Sequence, residues 1–237
     1  MRIFGEDPPA QANNFIEYSK TSEHAQRIYN FFESELANPR CHYDKCISSI
    51  NWESHVHFLS LIADNLEEKD KTILDAGCGS GLDITALSSI FPEKKFICYD
   101  ISQEQINSTK SKVKRYGLEN ILLYQGHHEY IQEPTKSVDI LILKKYKLGL
   151  NEVVSPLYGS MSLRDEISSG WVRINSEFKR ILKDEGIHIK YVEHKEGGSV
   201  GDLNPGFELL SGIVWPENGK NPSLHAPFDI AFLYAKK

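Results

Sequence analysis

The sequence predicts an α/β fold in which a mostly parallel sheet is wrapped by helices, and three observations carry that reading. Five short apolar runs, starting at Thr72, Lys95, Ile121, Val138 and Ile187, alternate with segments whose apolar residues recur at helical spacing. A glycine turn, Gly77-x-Gly79-x-Gly81, joins the first run to the helical pattern after it. Two further apolar runs, 207–215 and 228–235, close the chain as a hairpin across a Pro/Gly/Asn connection. Strands that alternate with helices pair in parallel through right-handed crossovers.

Each element has its own reason. Residues 1–20 are polar and rich in Asn and Pro, with no periodic pattern. A helix is expected over 22–36, capped by Ser22, with Ala25, Ile28, Tyr29, Phe32 and Leu36 on one face, and Asn38-Pro39 ends it. A second runs over 52–67 on Trp52, Val56, Leu59, Ala63 and Leu66. The charged stretch 67–71 turns into the first strand, 72–76. The helix after the glycines, 82–90, stops at Phe91-Pro92, and a strand follows at 95–100. Ser102 caps the next helix, with Glu104 in its first turn, Lys112 and Lys114 near its end, and Gly117 beyond it, so cap and charge agree on direction. Strands are expected at 121–124 and 138–143, then a long helix over 163–183, a turn at Glu185-Gly186, and a strand at 187–192. Residues 195–206 hold four glycines and a proline and read as a loop.

Composition narrows the function classes. A chain of 237 residues is long enough for one α/β domain with a sizeable core. A net charge of −6 gives no field that attracts nucleic acid or an anionic membrane surface. The first nine residues lack the apolar centre of a signal peptide, and no apolar run exceeds a strand's length, so a cytoplasmic protein is expected. Four cysteines do not make a disulfide framework; Cys78 and Cys98 fall at buried positions and read as reduced core thiols.

The chemistry begins at Asp75-Ala76-Gly77-Cys78-Gly79-Ser80-Gly81. A strand that feeds a glycine turn opening a helix is a cradle for a nucleotide-like ligand at a helix N-terminus. A dinucleotide fingerprint needs a third glycine where Leu82 stands, and a phosphate-binding loop of the Walker type needs a lysine after the glycines, which is absent. A second strand ends in Asp100, 23 residues after Gly77, where sheets of this kind place the acceptor for ribose hydroxyls. Asp75 alone reads as a strand-end residue; with the glycines and Asp100 in register it reads as part of one site.

The pattern D-x-G-x-G-x-G with Asp100 downstream resembles motif I and its acidic partner in the class I S-adenosylmethionine-dependent methyltransferases, over about residues 72–237. The resemblance implies a Rossmann-like, doubly wound, mostly parallel seven-stranded sheet with a C-terminal antiparallel hairpin. It also implies division into an N-terminal helical segment, 1–70, that caps the substrate, and a cofactor-binding core, 71–237. It makes S-adenosyl-L-methionine the cofactor, held by Gly77, Gly79 and Gly81, with Asp100 on the ribose, Ile101 against the adenine face and Asp75 near the methionine amino group. Gly126-His127 follows the third strand, where the family commonly has an acid for the adenine amino group; His127 departs from that pattern and reads either as a cofactor contact or as a surface loop histidine.

The acceptor is less legible. The fourth strand ends in Lys144-Lys145-Tyr146-Lys147, and Lys144, Tyr146 and Lys147 are candidates to face a substrate, an anionic one for the lysines; a solvated turn is the bland alternative. The [DNS]-P-P-[YFW] motif of amide- and adenine-nitrogen enzymes is absent there; neither the paired glutamates of arginine enzymes nor the Pro-Cys nucleophile of cytosine-C5 enzymes is found. A general base is needed only if the acceptor must lose a proton. His128 and His194 are the candidates, with His225 behind them, and each reads equally as a structural or exposed histidine. No catalytic metal is expected, because the fourth and fifth strands end in lysines and in Glu193-His194 where metal-dependent catechol-type enzymes carry acids; Cys41, His42, Cys46, His55 and His57 fit no standard zinc spacing either. The function expected is methyl transfer to O or N of a small molecule. The alternatives are transfer to a protein side chain or RNA, or a cofactor-binding pseudoenzyme.

Overall fold

The computed structural model of the protein describes residues 23–37, 52–144, 163–194, 207–216 and 228–236. In chain order the elements are α1 Glu23–Ala37, α2 Trp52–Asn65, β1 Thr72–Ala76, α3 Leu82–Ile90, β2 Lys95–Asp100, α4 Gln103–Tyr116, β3 Ile121–Gln125, β4 Val138–Lys144, α5 Leu163–Ile181, β5 Leu182–His194, β6 Phe207–Pro216 and β7 Phe228–Lys236. The strands lie in the order β3-β2-β1-β4-β5-β7-β6. The pairings among β1 to β5 are parallel, and β7 runs antiparallel between β5 and β6. The chain leaves β1 toward β2 and β3, then crosses back to lay β4 on the other side of β1. Ligands of such sheets sit at the carboxyl ends of the strands where the order reverses. That place is the glycine turn after β1.

The parallel α/β, Rossmann-like arrangement expected from the sequence is what folds. Its two faces follow from the two-residue period of a strand. Ile73, Phe96, Cys98, Ile140 and Ile142 point to one core, shared with Ile28, Phe32, Leu59 and Leu87 of the helices. Leu74, Ile97, Tyr99 and Leu141 point to the other, covered by Ile174, Phe178 and Ile181 of α5. The caps of α4 are those the sequence called for: the Ser102 side chain accepts from the Gln105 N–H, and Gly117 adopts a left-handed φ of 62°.

One boundary differs. The strand expected to begin at 187, after a turn at Glu185-Gly186, begins at Leu182, directly after α5. Val138 pairs with Leu182 and Ile140 with Ile187, so the expected turn is a bulge within the ladder. Asp139 stands across from the bulge. Its Oδ1 accepts from Lys183 Nζ at 2.8 Å, and its Oδ2 accepts from the Lys71 and Thr72 N–H groups at 3.1 and 3.0 Å. Leu182, fully buried beside Phe178 and Ile181, draws the strand start into the core.

Helices α1 and α2 pack on the sheet face with α3 and α4. His24 packs on Phe91 and Arg27 donates to the Ser89 carbonyl, while Phe31 packs on Tyr116. Those partners close α3 and α4, at the amino ends of the strands and away from the glycine turn. Residues 1–22 and 38–51 of the expected substrate cap lie outside the described residues, as does the expected loop at 195–206.

Candidate functional site

The site is built from the turn outward. Gly77, Gly79 and Gly81 all take positive φ, at 84°, 55° and 75°. Gly77 and Cys78 both give their N–H groups to the Tyr99 carbonyl, at 2.7 and 3.0 Å, which ties the turn to β2. A Cβ on Gly79 would meet nothing within 4 Å, so the middle of the turn faces open space; one on Gly81 would stand 2.8 Å from Thr109 Cβ. Gly81 is also the N-cap of α3, with no side-chain cap on the first N–H groups of that helix. The turn is thus closed behind by α4 and open in front.

Asp100, the last residue of β2, is the hinge between turn and sheet. Its Oδ2 accepts the Gly79 N–H at 2.8 Å, and its Oδ1 accepts the Ser102 N–H at 2.9 Å. Each carboxylate oxygen keeps a lone pair for a further donor. The next residue, Ile101, is 66% exposed, a large apolar side chain beside a carboxylate at the strand's carboxyl end. Asp75, 4% exposed, lies one residue before the end of β1.

Residues 67–196 match the family described as "Methyltransferase domain". The chain belongs to that family. Among relatives, this methyltransferase is 26% identical over 157 residues to "Ribosomal RNA small subunit methyltransferase G" of Chlorobaculum tepidum, covering 65% of the chain and 70% of the relative. It is 21% identical over 203 residues to "Release factor glutamine methyltransferase" of Streptococcus pneumoniae, covering 81% and 71%. For the ribosomal RNA enzyme of Thermoanaerobacter pseudethanolicus, at 27% identity over 117 residues, the match spans 47% of either chain. Its fold is similar to that of geranyl diphosphate C-methyltransferase from Streptomyces coelicolor, solved with S-adenosyl-L-homocysteine, at a TM-score of 0.57 and 10% identity over 92% of this chain and all of that one. It is also similar to a SAM-dependent methyltransferase from Aquifex aeolicus, at a TM-score of 0.51 and 17% identity over 88% and 97%.

The cofactor of the family is S-adenosyl-L-methionine, and the residues present fit it. The space before Gly79 admits a ligand against the backbone, Asp100 offers acceptors for a vicinal diol, and Ile101 offers an apolar face.

The segment after β3 completes the rim. The Gly126 N–H donates to the Asp100 carbonyl at 3.0 Å, which sets His127 and His128 beside the turn. His127 is half exposed, and its Nδ1 accepts the Glu129 N–H at 3.3 Å. A neutral ring held that way carries its proton on Nε2, which then donates rather than accepts. His128 is buried behind the glycines: a Cβ on Gly77 would lie 3.4 Å from its Cε1. Burial, and after it the neighbouring His127, push the His128 imidazole down to about 4. It therefore stays neutral at physiological pH and is a weak proton acceptor.

Helix α5 grips this segment. Arg173 donates to both carboxylate oxygens of Glu129, at 2.7 and 3.2 Å, and Glu177 accepts the Ile131 N–H at 2.8 Å. Arg180 donates to the carbonyls of Ile131 and Glu133. Lys144 and His194 are the last residues of β4 and β5, at the same end of the sheet as Asp100. Their side chains, with Tyr146, Lys147 and His225, lie outside the described residues. Among the described residues no three His, Cys, Asp or Glu side chains stand together as a metal set, and no helix is long and apolar enough to cross a membrane.

Sequence reasoning missed Thr109 and Lys112. Thr109 Oγ1 lies 3.1 Å from the Gly79 carbonyl, and Lys112 Nζ donates to the Ser80 carbonyl at 3.0 Å. The signal was there: Ile106, Thr109 and Lys112 form one buried stripe at helical spacing, two of its three members polar.

Proposed function

We propose that this methyltransferase transfers the methyl group of S-adenosyl-L-methionine to an oxygen or nitrogen of a small-molecule acceptor. The observation that carries the cofactor half is the hydrogen bond between Gly79 and Asp100, which brings an open glycine turn and a strand-end carboxylate together. In this reading Gly77, Gly79 and Gly81 line the cofactor. Asp100 accepts from its ribose, Ile101 and Gly126 border the adenine, and Asp75 lies toward the methionine amino group. His127 serves the adenine edge as an Nε2–H donor, a different role from that of the acid which usually stands there. The core is residues 71–237, a seven-stranded sheet with its closing antiparallel pair.

The sulfonium supplies an activated methyl group whose departure leaves a neutral thioether. The protein's part is alignment and exclusion of water. If the acceptor is a hydroxyl, its proton needs a base, and the buried, neutral His128 is poorly matched to that task. His194 at the end of β5, with His225 behind it, is then the candidate base, and Lys144, Tyr146 and Lys147 are the candidates to meet the acceptor.

A metabolite acceptor is supported by the absent amide- and adenine-nitrogen motif after β4 and by the net charge of −6. A second reading, RNA, is favoured by the ribosomal RNA relatives. Incubation with methyl-labelled cofactor and fractionated extract decides between them. Label in the low-mass pool is expected. Label confined to RNA or protein refutes the metabolite reading, and tight cofactor binding with no label anywhere identifies a pseudoenzyme.

A further inference from the structure

Lys112 is only 2% exposed, although it belongs to a helix whose outer face is free to take lysines. Removing an ammonium group from water costs several kcal/mol unless its protons are engaged. Its Nζ donates to the Ser80 carbonyl at 3.0 Å and to Ser108 Oγ at 3.3 Å. One turn earlier on the same stripe, Thr109 is fully buried, and its hydroxyl stands 3.1 Å from the Gly79 carbonyl and 3.0 Å from the Gln105 carbonyl. That hydroxyl has one proton to share between two carbonyls, whereas Lys112 has three, so Lys112 is the stronger tie. Thr109 also occupies the space that a side chain at position 81 would need.

The effect on the turn follows from the planar trans peptide, in which C=O and N–H point in opposite directions. Fixing the Ser80 carbonyl toward α4 aims the Gly81 N–H the other way, where it donates to the Cys78 carbonyl at 2.9 Å. Holding the Gly79 carbonyl toward α4 likewise aims the Ser80 N–H away from the helix. With glycine at 79 and 81, both peptide planes are otherwise free to rotate at little steric cost. A rotated plane would present a carbonyl oxygen where the turn now presents an N–H.

We propose that Lys112, assisted by Thr109, is the positioning residue of the cofactor turn: Lys112 holds the Ser80 carbonyl and Thr109 that of Gly79, from behind, and so the two keep Gly79-Ser80-Gly81 in the conformation whose open side receives the cofactor. This rests on the assignment of that turn to S-adenosylmethionine. Neither side chain touches the cofactor in this account. The brace acts equally on S-adenosylmethionine and S-adenosylhomocysteine, which share every contact with the turn and differ by a methyl group and a charge.

The test is calorimetric titration of the full chain with each ligand, well below the unfolding midpoint. Lys112→Met keeps the stem and removes the donors. It is expected to raise both dissociation constants about tenfold, which is about 1.4 kcal/mol, without changing their ratio. Lys112→Arg and Thr109→Ser keep a donor and should stay within about threefold of wild type; Thr109→Val should fall between. Amide exchange at Ser80 and Gly81 should quicken in Lys112→Met and return toward wild type in Lys112→Arg. Wild-type affinity in a folded Lys112→Met overturns the brace. So does a changed ratio of the two ligands, which would mean that the ammonium acts through its charge. A wild-type chain that binds neither ligand overturns the cofactor assignment itself, and the brace with it.

Discussion

Asp100 holds Gly79: the carboxylate at the end of β2 accepts the N–H at the middle of the glycine turn, at 2.8 Å. The same side chain accepts from Ser102, so one residue fixes the turn, the start of α4 and the proposed ribose site. Asp100→Ala is expected to weaken S-adenosylmethionine binding by about 1–3 kcal/mol, through loss of charge-assisted hydrogen bonds. Asp100→Asn should cost nearly as much, because its amide NH₂ must face one of two backbone donors. Calorimetry measures both, and unchanged affinity in the pair would remove Asp100 from the site.

Gly79 and Gly81 have similar backbone angles and opposite surroundings, so their substitutions should separate. Gly81→Ala meets Thr109 and should destabilise the fold; Gly79→Ala meets no protein atom and carries only the strain of a left-handed alanine, about 1–2 kcal/mol. Gly81→Ala is therefore expected to lower the thermal midpoint by several degrees more than Gly79→Ala. Gly79→Val should abolish cofactor binding in a folded protein, since its branches enter the ligand's space. Equal thermal losses at 79 and 81 would show that Thr109 gives way.

His128 ties stability to pH. Its folded value of about 4 lies below the ordinary 6.5, so the unfolded chain binds a proton that the folded one excludes. The contribution is fully present above about pH 6.5 and is lost as pH falls toward 4, up to roughly 3 kcal/mol if this group acts alone. Denaturant unfolding at pH 7 and pH 5 should show wild type losing more stability than His128→Gln over that interval. A parallel loss in both would mean that another group carries the dependence. The acid limb of the activity profile should not shift in the variant.

Much of this arrangement was legible in the sequence because each cue was local. Ser102 and Gly117 bound α4, the spacing of Gly77, Gly79 and Gly81 sets the turn, and Asp100 ends its strand in register with them. What was not legible depends on contacts across the fold. The bulge at the start of β5 depends on Asp139 reaching β1 and Lys183 at once, and no local pattern marks it. The tautomer of His127 depends on one backbone N–H. Lys112 read only as a basic residue near a helix end, since only tertiary packing reveals that the stripe it continues faces the glycine turn.

The N-terminal helix offers a separate test, because its anchor is polar. Glu35 of α1 is 1% exposed, and it accepts from Arg115 Nη1 and from the Tyr116 hydroxyl at the end of α4. Ile28, Phe31 and Phe32 of the same helix belong to the core that contains Ile73 and Phe96. Glu35→Ala leaves Arg115 and Tyr116 without that carboxylate in a partly buried place, and Arg115 is exposed enough for water to offset part of the loss. A cost of about 1–3 kcal/mol is expected, or roughly 2–12 °C in the thermal midpoint of a domain this size. These contacts lie at the amino ends of the strands, the opposite end of the sheet from Gly79 and Asp100. Affinity for S-adenosylmethionine should therefore stay at the wild-type level while the midpoint falls. Lost affinity at an unchanged midpoint would place α1 at the cofactor instead, and would make the segment before β1 part of the site rather than part of its support.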